Sequence, residues 1–186
     1  MGALLMGEAA AFAEVYQANF RFVWRVLARL GVPDRDLADS TQDVFLVVHR
    51  KLDEFDGHSR ITTWLYAICF RVASQRRRAA PTRLEVLDPE TPVEASDDAG
   101  DDRAAKLAHY RRLLAGALDA MPLEQRAVFA FYELDGMSGE EIAEQVGVSV
   151  ATVHSRLRLA RGAFQRFVER TEARASFQES RCGGAS

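Results

Sequence analysis

The stretch Ser138-Gly-Glu-Glu141-Ile142-Ala143-Glu-Gln-Val146-Gly147-Val-Ser149-Val-Ala-Thr152-Val153-His154-Ser155-Arg156-Leu157 decides how this chain is read. Ser138 followed three residues on by Glu141 is a capping box, in which hydroxyl and carboxylate satisfy free amides at a helix start. Ile142, Ala143 and Val146 then form the buried face of a short helix. Gly147 makes a tight turn, and Ser149 caps a second helix whose inward stripe is Val153, Leu157, Ala160 and Phe164. Two short helices joined by a glycine-containing turn are a helix-turn-helix. The second helix presents Thr152, His154, Ser155, Arg156, Arg158 and Arg161 outward, with no acid until Glu169. A face that is merely solvated mixes its signs, so this one predicts DNA binding.

Upstream, Leu107, Tyr110, Leu114, Ala117 and Leu118 keep helical spacing as far as Met121-Pro122. Pro122 fits the first turn of the next helix, which carries Arg126, Val128, Phe129, Phe131 and Tyr132 and ends at Asp135-Gly136. Further back, Leu84 to Asp102 holds eight acids and neither Lys nor Arg, with Pro89, Pro92 and Gly100 among them. That composition reads as a solvated linker. The whole chain of 186 residues carries 24 Lys+Arg against 27 Asp+Glu, a net charge of −3. Setting the eight linker acids aside leaves 19 acids against 24 bases, a net of +5. The acidity belongs to the connector, and the parts expected to fold are basic.

The first half is helical as well. Phe12, Val15, Tyr16, Phe20, Val23, Leu27 and Leu30 recur at threes and fours up to Gly31 and Pro33. A second helix opens near Asp34, with Leu37, Val44, Phe45, Val48 and Leu52 apolar, and breaks at Phe55-Asp56-Gly57. Ser59 or Thr62 caps a third, running through Trp64, Leu65, Ile68 and Val72 into Arg76-Arg77-Arg78. The chain is therefore expected to be all-α: two small helical domains, the second a helix-turn-helix, joined by a flexible acidic linker. The boundaries are residues 8–79, 80–104 and 105–170, followed by a tail over 171–186 that is either disordered or a short regulatory extension.

Asp39-Ser-Thr-Gln42-Asp43-Val-Phe45, then Leu52-Asp-Glu-Phe55-Asp56-Gly57, then Thr63-Trp64-Leu65-Tyr66 together resemble region 2 of bacterial sigma factors, and most closely the extracytoplasmic-function (ECF) group. Leu118-x-x-Met121-Pro122, Arg126 and the helix-turn-helix through Arg161 resemble region 4 of the same family. The resemblance implies a protein that joins core RNA polymerase and directs initiation at promoter DNA. In the family the second helix docks on the clamp helices of the polymerase β′ subunit, which assigns Asp39, Gln42, Asp43 and Phe45 to that contact; the β flap is a further implied partner. The segment 56–64 holds the single-stranded −10 element, where His58, Ser59, Arg60 and Trp64 supply edge hydrogen bonds and a stacking wall. Trp64 suits equally the core of a helical trio. The recognition helix reads the −35 element in the major groove, with His154, Ser155 and Arg158 at base edges and Thr152, Arg156 and Arg161 on phosphates.

Three positions depart from the family pattern. Ala67 stands where relatives carry Arg, and Arg71 stands where they carry Asn, which points Arg71 at phosphate. Leu159 stands where relatives often place Arg, and either removes a base contact or replaces it with a thymine methyl contact. The family commonly has an anti-sigma partner as well.

Other classes are excluded by what is missing. His49, His58, His109 and His154 are scattered, and no zinc-protease, phosphate-loop or serine-hydrolase motif occurs. No enzyme, metal, cofactor or small-molecule substrate is expected. Cys69 and Cys182 form no disulfide framework, and the uncharged run Ile61–Phe70 is too short to span a bilayer, which takes about 20 residues. Met1–Gly7 lacks the basic flank of a signal peptide, so a cytoplasmic protein is expected. Two alternatives from other classes are a stand-alone helix-turn-helix regulator and a helical adaptor for protein partners.

Overall fold

The computed structural model describes residues 2–55, 57, 60–79 and 102–182. Every regular element among them is helical, as the periodicity predicts: α1 is Gly2–Arg29, α2 Asp34–Lys51, α3 Ile61–Ala79, α4 Asp102–Asp119, α5 Leu123–Phe129, α6 Gly139–Val146 and α7 Val150–Cys182. A 3-10 turn, Leu52–Glu54, follows α2, and a π turn, Ala130–Leu134, extends α5.

Helices α1, α2 and α3 pack as a trio. On α2 the buried residues are Leu37, Ser40, Thr41, Val44, Phe45 and Val48, a spacing that turns one face inward and leaves the acids outside. The Ser40 hydroxyl donates to the Asp36 carbonyl at 2.6 Å, so its burial carries little desolvation cost. Val23 and Leu27 of α1, and Leu30 just after it, share one core with Leu65, Ile68 and Cys69 of α3. Each such fully buried Leu or Val contributes about 1.5–3 kcal/mol.

In the second half α5 and α6 pack on α7 through Val128, Ile142, Val153 and Leu157. Helix α4 crosses α7 at Gly116, where a Cβ would strike the Phe167 ring, and Phe129 stacks on Phe164 at 5.4 Å. These contacts hold α7 over its part before residue 170, and the helix runs on past that boundary. Residues 171–182 of the expected tail are helical, continuing α7 to Cys182. Helix α4 likewise starts at Asp102, three residues inside the segment assigned to the linker. The rest of that linker, 80–101, lies outside the described residues, as do Asp56, His58, Ser59 and 183–186. Ser59 as a cap of α3 is thus not described; Thr62 lies within α3, which begins at Ile61.

The two halves share one core, which the sequence pattern does not show. Tyr66 of α3 lies 4.6 Å from the ring of Phe131 in the π turn and 5.0 Å from Phe22 of α1. Arg29 donates to Asp135 at 2.8 Å, and the Tyr66 phenol lies within the influence of the same carboxylate. Burial, with Asp135 adding to it, pushes the Tyr66 phenol well above its ordinary range, so it stays neutral. Arg126, 5% exposed, donates to the Leu118 carbonyl and to Asp119 at 2.7 Å. Its guanidinium fills the space beside Gly31, which ends α1 at φ +83° and has no room for a Cβ. Burial lowers the Arg126 pKa and the Asp119 charge opposes that shift.

Candidate functional site

The helix-turn-helix follows its local sequence rules closely. Ser138 Oγ accepts from the Glu141 amide at 3.2 Å, and the Glu141 carboxylate accepts from the Ser138 amide at 2.8 Å. Gly147 adopts φ +72°, ψ +42° and its amide bonds the Ala143 carbonyl, closing α6 in a conformation that costs glycine nothing. Ser149 Oγ accepts from the Thr152 amide at 3.2 Å, which starts α7.

Val153, Leu157 and Ala160 are buried, at 0%, 4% and 0% exposure. At about 100° per residue, Ser155 stands opposite that stripe, with Arg158 and Leu159 on either side of it. Ser155, Arg158 and Leu159 are all exposed. Thr152 is half-buried at the edge of the same face. His154 and Arg161 lie on one flank. The His154 ring rests against Gly139 at the start of α6. Arg161 pairs with Glu133 at 2.6 Å and lies 5.5 Å over the Tyr132 ring. Arg156 lies on the other flank, where it lines a groove of about 420 Å³ between the halves together with Arg77 and Arg78 of α3. The sequence had separated those arginines by a linker; the fold brings them together.

On α2, Asp39, Gln42 and Asp43 are exposed, and Asp43 pairs with Arg76 of α3 at 2.7 Å. Phe45, assigned to the polymerase contact, is a core residue instead. It is 3% exposed and rings with Tyr16 at 4.6 Å and Phe20 at 6.5 Å. The apolar side chain that this face offers to solvent is its neighbour Leu46, 51% exposed. Helical periodicity held that signal, since Val44, Phe45 and Val48 share one face and Leu46 falls outside it.

At the start of α3, Arg60 and Arg71 are exposed. Trp64 is half-buried, its ring 5.4 Å from Phe55, so it packs while part of it stays accessible. Ala67 is 4% exposed, a core position and not part of a surface. His58 and Ser59 lie outside the described residues. Among the described residues no group of His, Cys, Asp and Glu is arranged to hold a metal, and no helix is long and apolar enough to cross a membrane.

A three-helix unit and a helix-turn-helix with a basic outer face, on one chain, define a two-module protein of the DNA-binding helix-turn-helix class. Residues 15–81 match the model for sigma-70 region 2, and residues 111–164 match that for sigma-70 region 4. The chain is 30% identical over 146 residues to the ECF RNA polymerase sigma-E factor of Escherichia coli K12, covering 74% of this chain and 76% of that protein. It is 28% identical over 158 residues to the RNA polymerase sigma factor NccH of Alcaligenes xylosoxydans, covering 83% and 85%. Its fold is similar to that of CnrH in complex with the cytosolic domain of CnrY (TM-score 0.61, 23% identity, 87% and 89% covered). It is also similar to RpoE in complex with the anti-sigma factor NepR from Bartonella quintana (TM-score 0.63, 20% identity, 86% and 97% covered). The chain belongs to the ECF group of RNA polymerase sigma factors. It is a polymerase-binding initiation factor, which sets aside the stand-alone regulator and the adaptor.

Proposed function

We propose that the chain divides its tasks between two outward faces. The α2 face of Asp39, Gln42 and Asp43, with Leu46 in place of Phe45, docks on the polymerase β′ clamp helices. The α7 face of Ser155 and Arg158, flanked by Thr152, His154, Arg156 and Arg161, enters the major groove of the −35 element. Arg60, Trp64 and Arg71 hold the −10 strand beside His58 and Ser59. The observation that carries this reading is the contrast in charge. Between Asp39 and Leu46 the exposed side chains are two acids, an amide and a leucine, with no base, whereas α7 exposes no acid between Val150 and Gly162. Acids repel DNA phosphate and suit a basic protein partner; arginines do the reverse.

In this reading the β flap engages the second half, and an anti-sigma protein covers one or both faces. The complexes of CnrH with CnrY and of RpoE with NepR support such a partner. The protein works in the cytoplasm, without a catalytic group, cofactor or small-molecule substrate. Core polymerase reconstituted with the chain should initiate at discrete promoters where core alone does not. Intact core binding with no promoter-specific transcript would defeat the proposal.

A further inference from the structure

We propose that Leu159 reads the methyl group of a thymine in the upstream promoter element. The inference rests on the assignment of α7 to the major groove. Leu159 is 48% exposed on the outward face of α7, one helical turn beyond exposed Ser155 and beside exposed Arg158. The buried stripe Val153, Leu157 and Ala160 lies on the other side of the helix. No ring or apolar cluster of the described residues receives the Leu159 side chain; it is not among the residues packed on the core. An unpartnered leucine on a helix face that enters DNA loses water only by meeting an apolar group there. In the major groove the largest such group is the thymine C5-methyl; cytosine offers only a C5–H at that place, and the remaining base-edge groups are hydrogen-bond donors and acceptors.

Its neighbours suit the same geometry. Ser155 and Arg158 offer hydrogen bonds on the same face, so Leu159 contributes discrimination at its own base pair and little to overall affinity. Burying one methyl-sized group favours thymine over the same base without its methyl by about fourfold. Arg71 and the flanking arginines have no part in this contact, because phosphates carry no sequence.

The test uses the full chain with core polymerase. An upstream element is first selected from a randomised duplex library, and each thymine in it is then replaced singly by deoxyuridine, which removes only the methyl. Holoenzyme affinity should fall about fourfold at one position and hold at the others. With Leu159→Ala that position should lose its methyl sensitivity while core binding is unchanged. With Leu159→Arg, selection should bring guanine to the same position, because a guanidinium pairs with the guanine O6 and N7 edge. The proposal is overturned if no thymine methyl matters to the parent protein, or if Leu159→Ala keeps the same sensitivity. A selection that enriches no upstream element overturns the assignment of α7 itself, and this proposal with it.

Discussion

Helices α2 and α7 are built on the same inward plan and present opposite outward faces. Each buries residues spaced by three and four: Leu37, Val44, Phe45 and Val48 on α2, and Val153, Leu157 and Ala160 on α7. Outward, α2 shows Asp39, Gln42, Asp43 and Leu46, while α7 shows Ser155, Arg158 and Leu159 between flanking His154, Arg156 and Arg161. The buried stripe decides that a helix forms and where it packs. In the proposed reading the other side decides whether protein or nucleic acid meets it: Asp39–Leu46 exposes no base and Val150–Gly162 no acid.

Reversing the α2 charge is the strongest way to break that contrast. Asp39→Arg combined with Gln42→Ala should weaken core polymerase binding at least about tenfold. Helical content should be unchanged, because both side chains are exposed. Titration of labelled core with the variant measures it; an unchanged affinity would place the polymerase contact elsewhere. Phe45→Ala should act differently. It removes a core ring, costing about 3–5 kcal/mol of stability by denaturant unfolding, and so lowers polymerase binding only through loss of folded protein.

The α7 face divides more finely. Arg158→Ala should cost about 1–3 kcal/mol of discrimination at a single base pair, read as a selective loss on the matched upstream element. Arg161→Ala should weaken matched and mutated promoters alike and lower the salt dependence by about one counterion. Equal losses for both variants on both promoters would erase the division between base edge and phosphate. The smallest effect is expected between the halves. Arg29→Ala removes a pair with Asp135 whose side chains are 33% and 16% exposed, which costs about 1 kcal/mol or less, discounted for solvent screening. It should show as a slight fall in Tm with core binding retained.

The legibility of these features in the sequence follows from the range of the forces that set them. The capping box at Ser138, the left-handed turn at Gly147 and the start of α7 at Ser149 depend on residues at most four apart, and each forms where the sequence places it. Phe45 shows the limit of pattern matching. Family resemblance assigned it to a partner, periodicity put it inward, and burial against Tyr16 and Phe20 sides with periodicity. The shared core of the two halves was not legible, because Tyr66 with Phe131, Arg29 with Asp135 and Arg126 beside Gly31 are contacts between residues far apart in the chain. A buried arginine has no signature that separates it from an exposed one. The extension of α7 to Cys182 was hidden because residues 171–182 carry mixed charge and little apolar periodicity of their own.

The central claim is that one chain carries a polymerase face and a promoter face. Transcription from a promoter library by core polymerase, with and without the purified chain, tests it most directly. Start sites present only with the chain, sharing an upstream and a downstream element, are the predicted result. An identical start-site profile in both reactions, with the chain bound to core, would contradict it.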